Sequence, residues 1–470
     1  MRIMPISDSP HAPTGFGTNT KNVSAILTEA GHSIHYGGCQ TQAHDPKYEI
    51  EWPLGTGKKV YIENLPLLHP QQEKFGEKSF DTWVKQTRPD LILTHLDVQM
   101  FQHITQRKDV QGLQIALKYP DGRWLTKKER NEAMDEAVKD VMKGQPWKLA
   151  SIFPVDGQPS VPFWEGILKF IDYPIAMSRY GLEVLKDDFP QLGQEWHDRV
   201  TYIPHGVDTN FFKPKIVDRP DNAFIVGCVA RNQHRKNIPR LMRGYAHFIK
   251  ENNLSPEDSK LLLHMDHNDF MGWKIMEMAK YLKIDKYMVP PTCGAIDKGE
   301  GVPEERMVEI FNLMDVFVLP TAGEGFGIPT VEAMACGVPI CVTNYTTGYE
   351  LVKMEDPEKG EMPLMPLGDE ADNGRDYLID DDWSDRGCLL PYKDMWWDTP
   401  NRAAPQRALV SEMGISQALT RLYTEPKFRT ECATNARKHA IKHYSWDAVT
   451  KRYLKWIAEV EKEIKNESSI

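Results

Sequence analysis

A glycine-rich turn with a glutamate in it, and a second glutamate shortly after it, suits the binding of a phosphorylated sugar. Glu324 stands in the turn at 323–327, and Glu332 follows eight positions later, within a predicted helix. A carboxylate accepts two hydrogen bonds from a pair of vicinal hydroxyls, so both side chains suit a polyhydroxyl ligand. The spacing therefore makes both glutamates candidates for contact with a bound substrate.

The elements predicted around this turn are a buried strand and a helix. Val316–Leu319 is a short apolar run, typical of a buried parallel strand. Pro329 suits the first turn of a helix, and Gly337 marks its end. The backbone N–H groups of the turn and the positive helix end would then face a ligand above the strand. Three turn residues are therefore substrate-binding candidates: Gly325, Phe326 and Gly327.

Two cations precede this stretch in the chain. Arg231 follows the strand predicted at 223–230, and Lys236 comes five residues later. Cations fixed beyond the end of a strand suit a diphosphate, because arginine binds as a bidentate fork and lysine as a point charge. Arg231 and Lys236 are therefore candidates for binding a diphosphate.

The segment from Glu324 to Glu332 resembles the E-x7-E signature of retaining GT-B glycosyltransferases, in particular the large family 4 group. The order along the chain of Arg231, Lys236, Gly294 and the two glutamates is similar to that family. The resemblance implies that Arg231, Lys236 and Glu324 are catalytic. In the family the nucleotide base packs near the turn that corresponds to Gly294. The resemblance extends over most of the chain and is thinnest between about residues 37 and 145.

The resemblance implies an α/β fold of the GT-B type, in which two Rossmann-like domains face each other across a cleft. Residues 1–205 would form the N-terminal domain for the acceptor, and residues 206–444 the domain for the nucleotide sugar. Residues 445–470 would form a helix that crosses back to the first domain. An acidic segment at about 353–386 is predicted to be an insertion in the second domain.

The first domain also carries candidates. Asp156 follows the strand predicted at 147–155, where many family members have a histidine that meets the donor sugar, and it is predicted to be catalytic. Gly15 and Gly17 lie in a loop predicted after the first strand and would line the phosphate side. His205 begins the predicted hinge and is either a hinge hydrogen-bonder or a sugar contact.

The function implied is a retaining, metal-independent transfer of a hexose from a nucleoside-diphosphate sugar, such as UDP- or GDP-hexose, to an acceptor hydroxyl. Arg231, Lys236 and the turn N–H groups would stabilise the departing diphosphate without a metal or other cofactor. Glu324 would hold hydroxyls of the donor sugar, and Glu332 the ribose. The acceptor is expected to be a carbohydrate, a lipid-linked molecule or a small molecule.

Two alternatives stay open at this point. A disaccharide phosphorylase with the same fold would use inorganic phosphate in place of the nucleotide. A catalytically silent nucleotide-sugar-binding protein would keep the site without turnover. A nicotinamide dehydrogenase is disfavoured, because no complete G-x-G-x-x-G follows a predicted strand.

The charge and composition of the chain limit the kinds of partner that it is expected to bind. The net charge of −10 over 470 residues argues against a nucleic-acid partner, and the hydrophobic content of 41% is typical of a soluble globular protein. No apolar run reaches the length of a membrane span, although peripheral membrane contact stays possible. Seven scattered cysteines without a C-x-x-C pair, and a start unlike a signal peptide, predict a cytoplasmic protein.

Two further stretches have more than one interpretation. The run Asp380–Asp382 resembles a metal-binding DxD motif, but that motif belongs to the other glycosyltransferase fold, so a solvated acidic run is predicted. The aromatic pair in Met395–Trp397 suits either a stacking platform for a sugar acceptor or the anchoring of a loop, and the anchor is favoured.

Overall fold

The computed structural model describes most of the chain, in the following segments: residues 1–10, 12, 14–39, 47–107, 147–219, 222–270, 272–290, 302–364, 374–398 and 405–467. The charged helix predicted at 126–143 and the turn predicted at Cys293-Gly294 lie outside these residues. The described strands divide between two sheets and a separate hairpin.

The first sheet has the strand order β3-β4-β2-β1-β5-β6-β7-β8, and its described pairs are parallel except for β3 with β4. We call this sheet and its helices, residues 2–202, the first lobe. Its strands are β1 (Arg2–Asp8), β2 (Ser33–Cys39), β3 (Lys47–Glu51), β4 (Lys59–Leu65), β5 (Leu91–His95), β6 (Lys148–Phe153), β7 (Tyr173–Ala176) and β8 (Thr201–Tyr202).

The second sheet has the order β10-β9-β11-β12-β13, with parallel pairs throughout, and the hairpin β14–β15 is antiparallel. We call this sheet, its helices and the hairpin, residues 224–444, the second lobe. Its strands are β9 (Phe224–Val229), β10 (Ser259–His264), β11 (Val316–Leu319), β12 (Ile340–Thr343), β13 (Gly387–Leu390), β14 (Tyr392–Trp397) and β15 (Gln406–Val410).

The α-helices of the described residues connect these strands. They are α1 (Gly15–Glu29), α2 (Phe80–Thr87), α3 (Gln102–Thr105), α4 (Glu165–Leu168), α5 (Arg179–Asp188), α6 (Gln194–Arg199), α7 (Ile238–Glu251), α8 (Ile275–Tyr281), α9 (Glu304–Leu313), α10 (Ile328–Ala335), α11 (Gly348–Val352), α12 (Glu412–Thr424), α13 (Pro426–Tyr444) and α14 (Trp446–Glu467). Short 3₁₀ turns include His234–Lys236 and Asp380–Asp382.

The first sheet is buried on both faces, which explains its continuous apolar strands. Successive residues of a strand point to opposite faces. Ile3 and Leu91 belong to one apolar cluster, whereas Met4 and Ile92 belong to the other. All four side chains are fully buried, as expected for parallel strands covered by helices on both sides.

Helix α1 begins earlier than its sequence suggests. The loop predicted at residues 8–20 ends at Thr14, whose side chain accepts a hydrogen bond from Gly17 N at 3.0 Å and donates to Asp8 at 2.7 Å. A Cβ on Gly17 would lie 2.6 Å from the carbonyl oxygen of Ser9. The two candidate glycines of this segment therefore form the first turn of a helix rather than a loop.

The acidic segment predicted at about 353–386 contains an ion pair near its end. Arg375 donates to both carboxylate oxygens of Asp382, at 2.7 and 2.8 Å, and the aspartate is buried. The expectation that the aspartate run is solvated is therefore wrong for its last member. In the hairpin, Met395 packs on the small cluster that contains Tyr392, whereas Trp397 is 53% exposed.

The two lobes are joined where the chain passes between them. Val207 N donates to Tyr444 O at 2.8 Å, and Trp446 N donates to Val207 O at 3.2 Å, so the two connecting segments lie side by side. Helix α14 then packs against α1 of the first lobe. Lys148 of β6 is paired with Glu467 near the end of that helix at 2.7 Å.

A fully buried carboxylate also joins the lobes. Glu350 of α11 accepts hydrogen bonds from Arg179 N and the Tyr202 hydroxyl, both at 2.6 Å, which belong to the first lobe. It also accepts from the Tyr444 hydroxyl at 3.2 Å. Burial raises the pKa of Glu350, although these hydrogen bonds oppose the shift.

We expect Gly206→Ala to destabilise the protein by about 1–3 kcal/mol, because a Cβ there would overlap the ring of Trp446. Urea denaturation of the variant measures this loss. Gly166→Ala is the matched control, since a Cβ on this exposed helical glycine meets no atom within 4 Å. Equal stabilities of the two variants would contradict the tight packing of the crossing.

Candidate functional site

The candidate site lies where four segments meet between the lobes. Residues 154–158 follow β6 in the first lobe, and the second lobe contributes the loop before α7, the turn after β11 and strand β15. A Cβ on Gly325 would lie 2.5 Å from Pro154 Cβ, and one on Gly157 would lie 2.7 Å from Pro405 Cβ. Glycines on both sides therefore allow the two lobes to touch.

Lys236 and Glu324 form a buried ion pair in the second lobe. The lysine is 7% exposed, at the end of a 3₁₀ turn, and Asn237 takes a left-handed φ of 51° before α7 begins. Burial lowers the pKa of Lys236 despite the glutamate. Burial alone would raise the pKa of Glu324, but Lys236 and Arg235 outweigh it and lower this pKa. The glutamate is therefore ionised.

Arg235 links this pair to the first lobe. Its Nη1 donates to Gly323 O at 2.7 Å and lies 3.5 Å from Glu324 Oε2, and its Nε lies 4.0 Å from Asp156 Oδ2. Arg235 was not among the residues predicted from the sequence, although a second cation directly before Lys236 was a usable signal.

The candidate Arg231 points elsewhere. Its side chain is 61% exposed, and its Nε lies 3.2 Å from Asp269 Oδ2. Within the described residues the structure therefore brings Lys236 and Glu324 together as the sequence predicted, with Arg235 rather than Arg231 beside them.

Asp156 is held from the second lobe by Arg407. The guanidinium Nη1 lies 3.2 Å from Asp156 Oδ1 and also donates to the backbone carbonyl of the same aspartate. Burial would raise the pKa of Asp156, but Arg407 and Arg235 outweigh it, so the pKa is lowered and the side chain is an anion. No sequence pattern connects Arg407 with a residue 251 positions away.

The candidate His205 lies inside the contact between the lobes. It is 4% exposed, and its ring centroid lies 5.2 Å from that of His95 and 5.1 Å from that of Phe326. Burial lowers the pKa of His205 to about 3, so the ring is neutral. Its Nδ1 has no hydrogen-bond partner among the described residues. In this structure His205 and Phe326 pack the floor of the cleft.

The glycine turn presents unused donors. In the described structure the N–H groups of Gly325, Phe326 and Gly327 donate to no other residue, whereas Glu324 N donates to Thr346 Oγ1 at 3.0 Å. Gly327 has a φ of 95°, which favours glycine, and caps α10. Such a row of N–H groups at a helix N-terminus is suited to an anion.

The first turn of α1 approaches this helix from the other lobe. A Cβ on Gly15 would lie 3.1 Å from Ile328 Cδ1, the side chain that opens α10. Gly15 and Gly17 therefore lie in a helix N-terminus that approaches the N-terminus of α10, and both helix dipoles favour negative charge there.

Glu332 differs from the other carboxylates of the site. It is half-buried on α10, and its side chain has no hydrogen bond or ion pair among the residues that the structure describes. Burial raises the pKa of Glu332 to about 8, and Glu304 adds to the shift. At neutral pH the side chain is therefore largely protonated.

The cysteines, the acidic groups and the helices of the described residues bear on metal binding and on membrane insertion. The six described cysteines are buried and free, and no group of three or more metal-ligating side chains lies together in the described part of the chain. None of the described helices combines the length and apolar composition needed to cross a bilayer.

Comparison with known proteins adds a family match. Residues 298–360 match the model described as "Glycosyl transferases group 1". O-antigen chain mannosyltransferase B of Escherichia coli is 43% identical over 118 residues, which are 25% of this chain and 28% of that protein. UDP-Gal:alpha-D-GlcNAc-diphosphoundecaprenol alpha-1,3-galactosyltransferase of Escherichia coli is 30% identical over 166 residues, or 33% of this chain and 40% of that protein. The chain thus spans less than half the length of either relative.

The solved structures extend the likeness to the whole fold. Sucrose-phosphate synthase from Thermosynechococcus elongatus superposes with a TM-score of 0.64 at 14% identity, covering 98% of this chain and 100% of that one. The fold is therefore GT-B, as the sequence predicted. The predicted resemblance to group 1 glycosyltransferases is confirmed as well, and the matched relatives are named as transferase enzymes.

We expect the pH dependence of stability to report on Glu332. Because its pKa in the folded protein is about 8, above the usual 4.5, the neutral form is favoured and its contribution is lost as pH rises through 8. The melting temperature should therefore fall less between pH 6 and pH 9 in Glu332→Gln than in the wild type.

Glu305→Gln is the control for this measurement, because Glu305 is exposed on the neighbouring helix α9. Its pH profile should follow that of the wild type. Parallel profiles for the wild type and Glu332→Gln would show that the half-buried carboxylate is not the group that titrates.

Proposed function

We propose that the protein is a retaining, metal-independent glycosyltransferase that moves a hexose from a nucleoside-diphosphate sugar to an acceptor hydroxyl. The observation that carries the proposal is the buried Lys236–Glu324 pair directly beside a turn with unused N–H donors. A cation and a row of N–H groups suit the phosphates of a sugar diphosphate, and an anion beside them suits the hydroxyls of its sugar.

The departing diphosphate is the first part of the reaction to be stabilised. Negative charge grows on it as its bond to the anomeric carbon breaks, and Lys236, Arg235 and the N–H groups of the 325–327 turn are preorganised to receive that charge. Arg231, which lies exposed at the start of the same loop, stays a candidate for the outer phosphate. Two to three fixed cations supply the neutralising charge, so the proposal needs no divalent metal.

The carboxylates then divide the sugars between them. Glu324 accepts hydrogen bonds from hydroxyls of the donor hexose. The carboxyl group of Glu332, which is largely protonated at neutral pH, exchanges hydrogen bonds with the ribose hydroxyls of the nucleotide. Asp156 faces them from the first lobe and orients the sugar or the acceptor. Retention follows from the resemblance to the E-x7-E group: the acceptor oxygen bonds to the anomeric carbon on the face that the diphosphate leaves, and its proton passes to the departing phosphate.

The names of the relatives support the classes of donor and acceptor. One relative is named for UDP-Gal and a diphosphoundecaprenol acceptor, and another is named as a mannosyltransferase. We infer a UDP- or GDP-hexose as donor and a carbohydrate or lipid-linked carbohydrate as acceptor. The cytoplasmic location predicted from the sequence accords with such a donor and stays a prediction.

The purified protein tests this proposal with a panel of GDP-mannose, UDP-galactose, UDP-glucose and UDP-N-acetylglucosamine. We expect one donor to raise the melting temperature of the protein. The protein should also release nucleoside diphosphate from that donor, both with and without EDTA. Phosphate-dependent cleavage of trehalose or sucrose without any nucleotide would instead identify a phosphorylase. Stabilisation by a donor without release under any condition would identify a silent binding protein.

Lys236→Ala and Glu324→Ala should each lower the release of diphosphate by at least about 10²-fold, because each removes preorganised charge from the site. Circular dichroism and the melting temperature check that the variants fold. Lys280→Ala, which removes an exposed lysine of α8, is the control and should keep wild-type turnover. Near-normal turnover of either site variant would refute the assignment.

A further inference from the structure

The hairpin β14–β15 lies outside the second sheet and reaches the first lobe. Gln406 N donates to Gln158 O at 2.8 Å, and the Tyr345 hydroxyl donates to Gln406 O at 2.7 Å. The same hydroxyl accepts from Gln158 N at 3.2 Å. The start of β15 is therefore fixed against the segment that carries Asp156.

Arg407 occupies the next position of β15 and is 6% exposed. In the antiparallel register it lies opposite Trp396, and Asp398 directly follows the end of β14. Its Nε donates to Asp398 Oδ2 at 3.0 Å, while its Nη1 lies 3.2 Å from Asp156 Oδ1. One buried guanidinium thus spans from the hairpin to the first lobe.

Asp156 keeps a free side toward the cleft. Its side chain is 33% exposed, and its second oxygen lies 4.0 Å from Arg235 Nε. Asp97, which follows β5, is a second carboxyl in this region: burial, followed by the nearby charge of Asp156, raises the pKa of Asp97 to about 6. If Arg407 were removed, Arg235 would be the described cation nearest to the Asp156 carboxylate.

Arg235 is in turn shared between two acids, at 3.5 Å from Glu324 and 4.0 Å from Asp156. An Asp156 carboxylate released by Arg407 would draw Arg235 toward the first lobe and away from Glu324. The guanidinium of Arg407 therefore fixes the orientation of the Asp156 side chain, and through it the position of the Arg235 side chain.

We propose that Arg407 is a positioning residue of the transfer reaction, which holds Asp156 toward the acceptor and leaves Arg235 to the donor diphosphate. This inference rests on the proposed function and adds the hairpin as a third contributor to the site. Arg407 acts through Asp156, because its guanidinium is buried between two aspartates.

A double-mutant cycle tests the proposal, with diphosphate release from the active donor of the panel as readout. Arg407→Gln should lower kcat about tenfold or more, since a small misplacement of a reacting group costs up to about 10²-fold. Its Kd for UDP or GDP, measured by calorimetry, should rise by a smaller factor than kcat falls, because Arg235 shifts toward Asp156 while Lys236 and the N–H groups of the turn still bind the diphosphate. In an Asp156→Asn background, Arg407→Gln should have no further effect on kcat.

Two further variants separate positioning from simple stability. Arg407→Lys keeps the charge but loses the fork, so it should recover only part of kcat. Asp398→Asn loosens the guanidinium from the hairpin side without touching Asp156 and should give an intermediate kcat at a near-wild-type melting temperature. If Arg407→Gln fails to fold, Asp398→Asn and Arg407→Lys carry the test.

Full additivity of Arg407→Gln with Asp156→Asn, or an effect on nucleotide Kd alone, would overturn the role of Arg407 while the proposed function stands. Wild-type kcat in all three single variants of Arg407 and Asp398 would overturn it equally. Absence of diphosphate release by the wild type with every donor would overturn the proposed function, and the positioning role with it.

Discussion

A charge that is removed from water must be matched by an opposite charge, and this requirement governs the junction of the two lobes. Asp156, Arg235, Glu324 and Lys236 alternate in sign across the cleft, and Arg407 extends the series to the hairpin. Removing either partner of a buried pair leaves an uncompensated charge, which is strongly unfavourable. The lobes therefore have to approach closely, and glycines on both surfaces permit that approach.

The same electrostatics divide the carboxyl groups of the site into two kinds. Asp156 and Glu324 have lowered pKa values because cations outweigh the effect of burial, so they are fixed anions. Glu332 has no hydrogen bond or ion pair among the described residues and a raised pKa, so it is largely neutral at neutral pH. The first two carboxylates are therefore held by cations, whereas the carboxyl group of Glu332 is not.

Much of the fold could be predicted from the sequence, because local patterns specify local elements. The apolar run before the turn is β11, Pro329 lies in the first turn of α10, and Gly337 follows its end with a φ of 73°. The convergence of Lys236 and Glu324 was also predictable, since the family resemblance assigns both residues to one nucleotide sugar, whereas their direct ion pair was not predicted.

What could not be predicted depends on contacts that leave no local pattern. Arg407 reaches Asp156 across 251 positions, and the hairpin that carries it has no hydrophobic alternation that predicts two strands. Arg231 was predicted and Arg235 was not, because the direction of the loop, which places Arg235 rather than Arg231 beside Glu324, leaves no pattern in the sequence. The domain boundary at residue 205 stays a prediction, although it lies in the connection between the last strand of the first sheet and the first of the second.

The paired crossings at Val207 and Ser445 limit how the molecule can move. Because the two connecting segments are hydrogen-bonded to each other, they act as one narrow pivot rather than as two independent tethers. Twisting or sliding of one lobe over the other at this crossing would break these backbone hydrogen bonds. The connection itself therefore helps to hold in one register the charges that meet between the lobes.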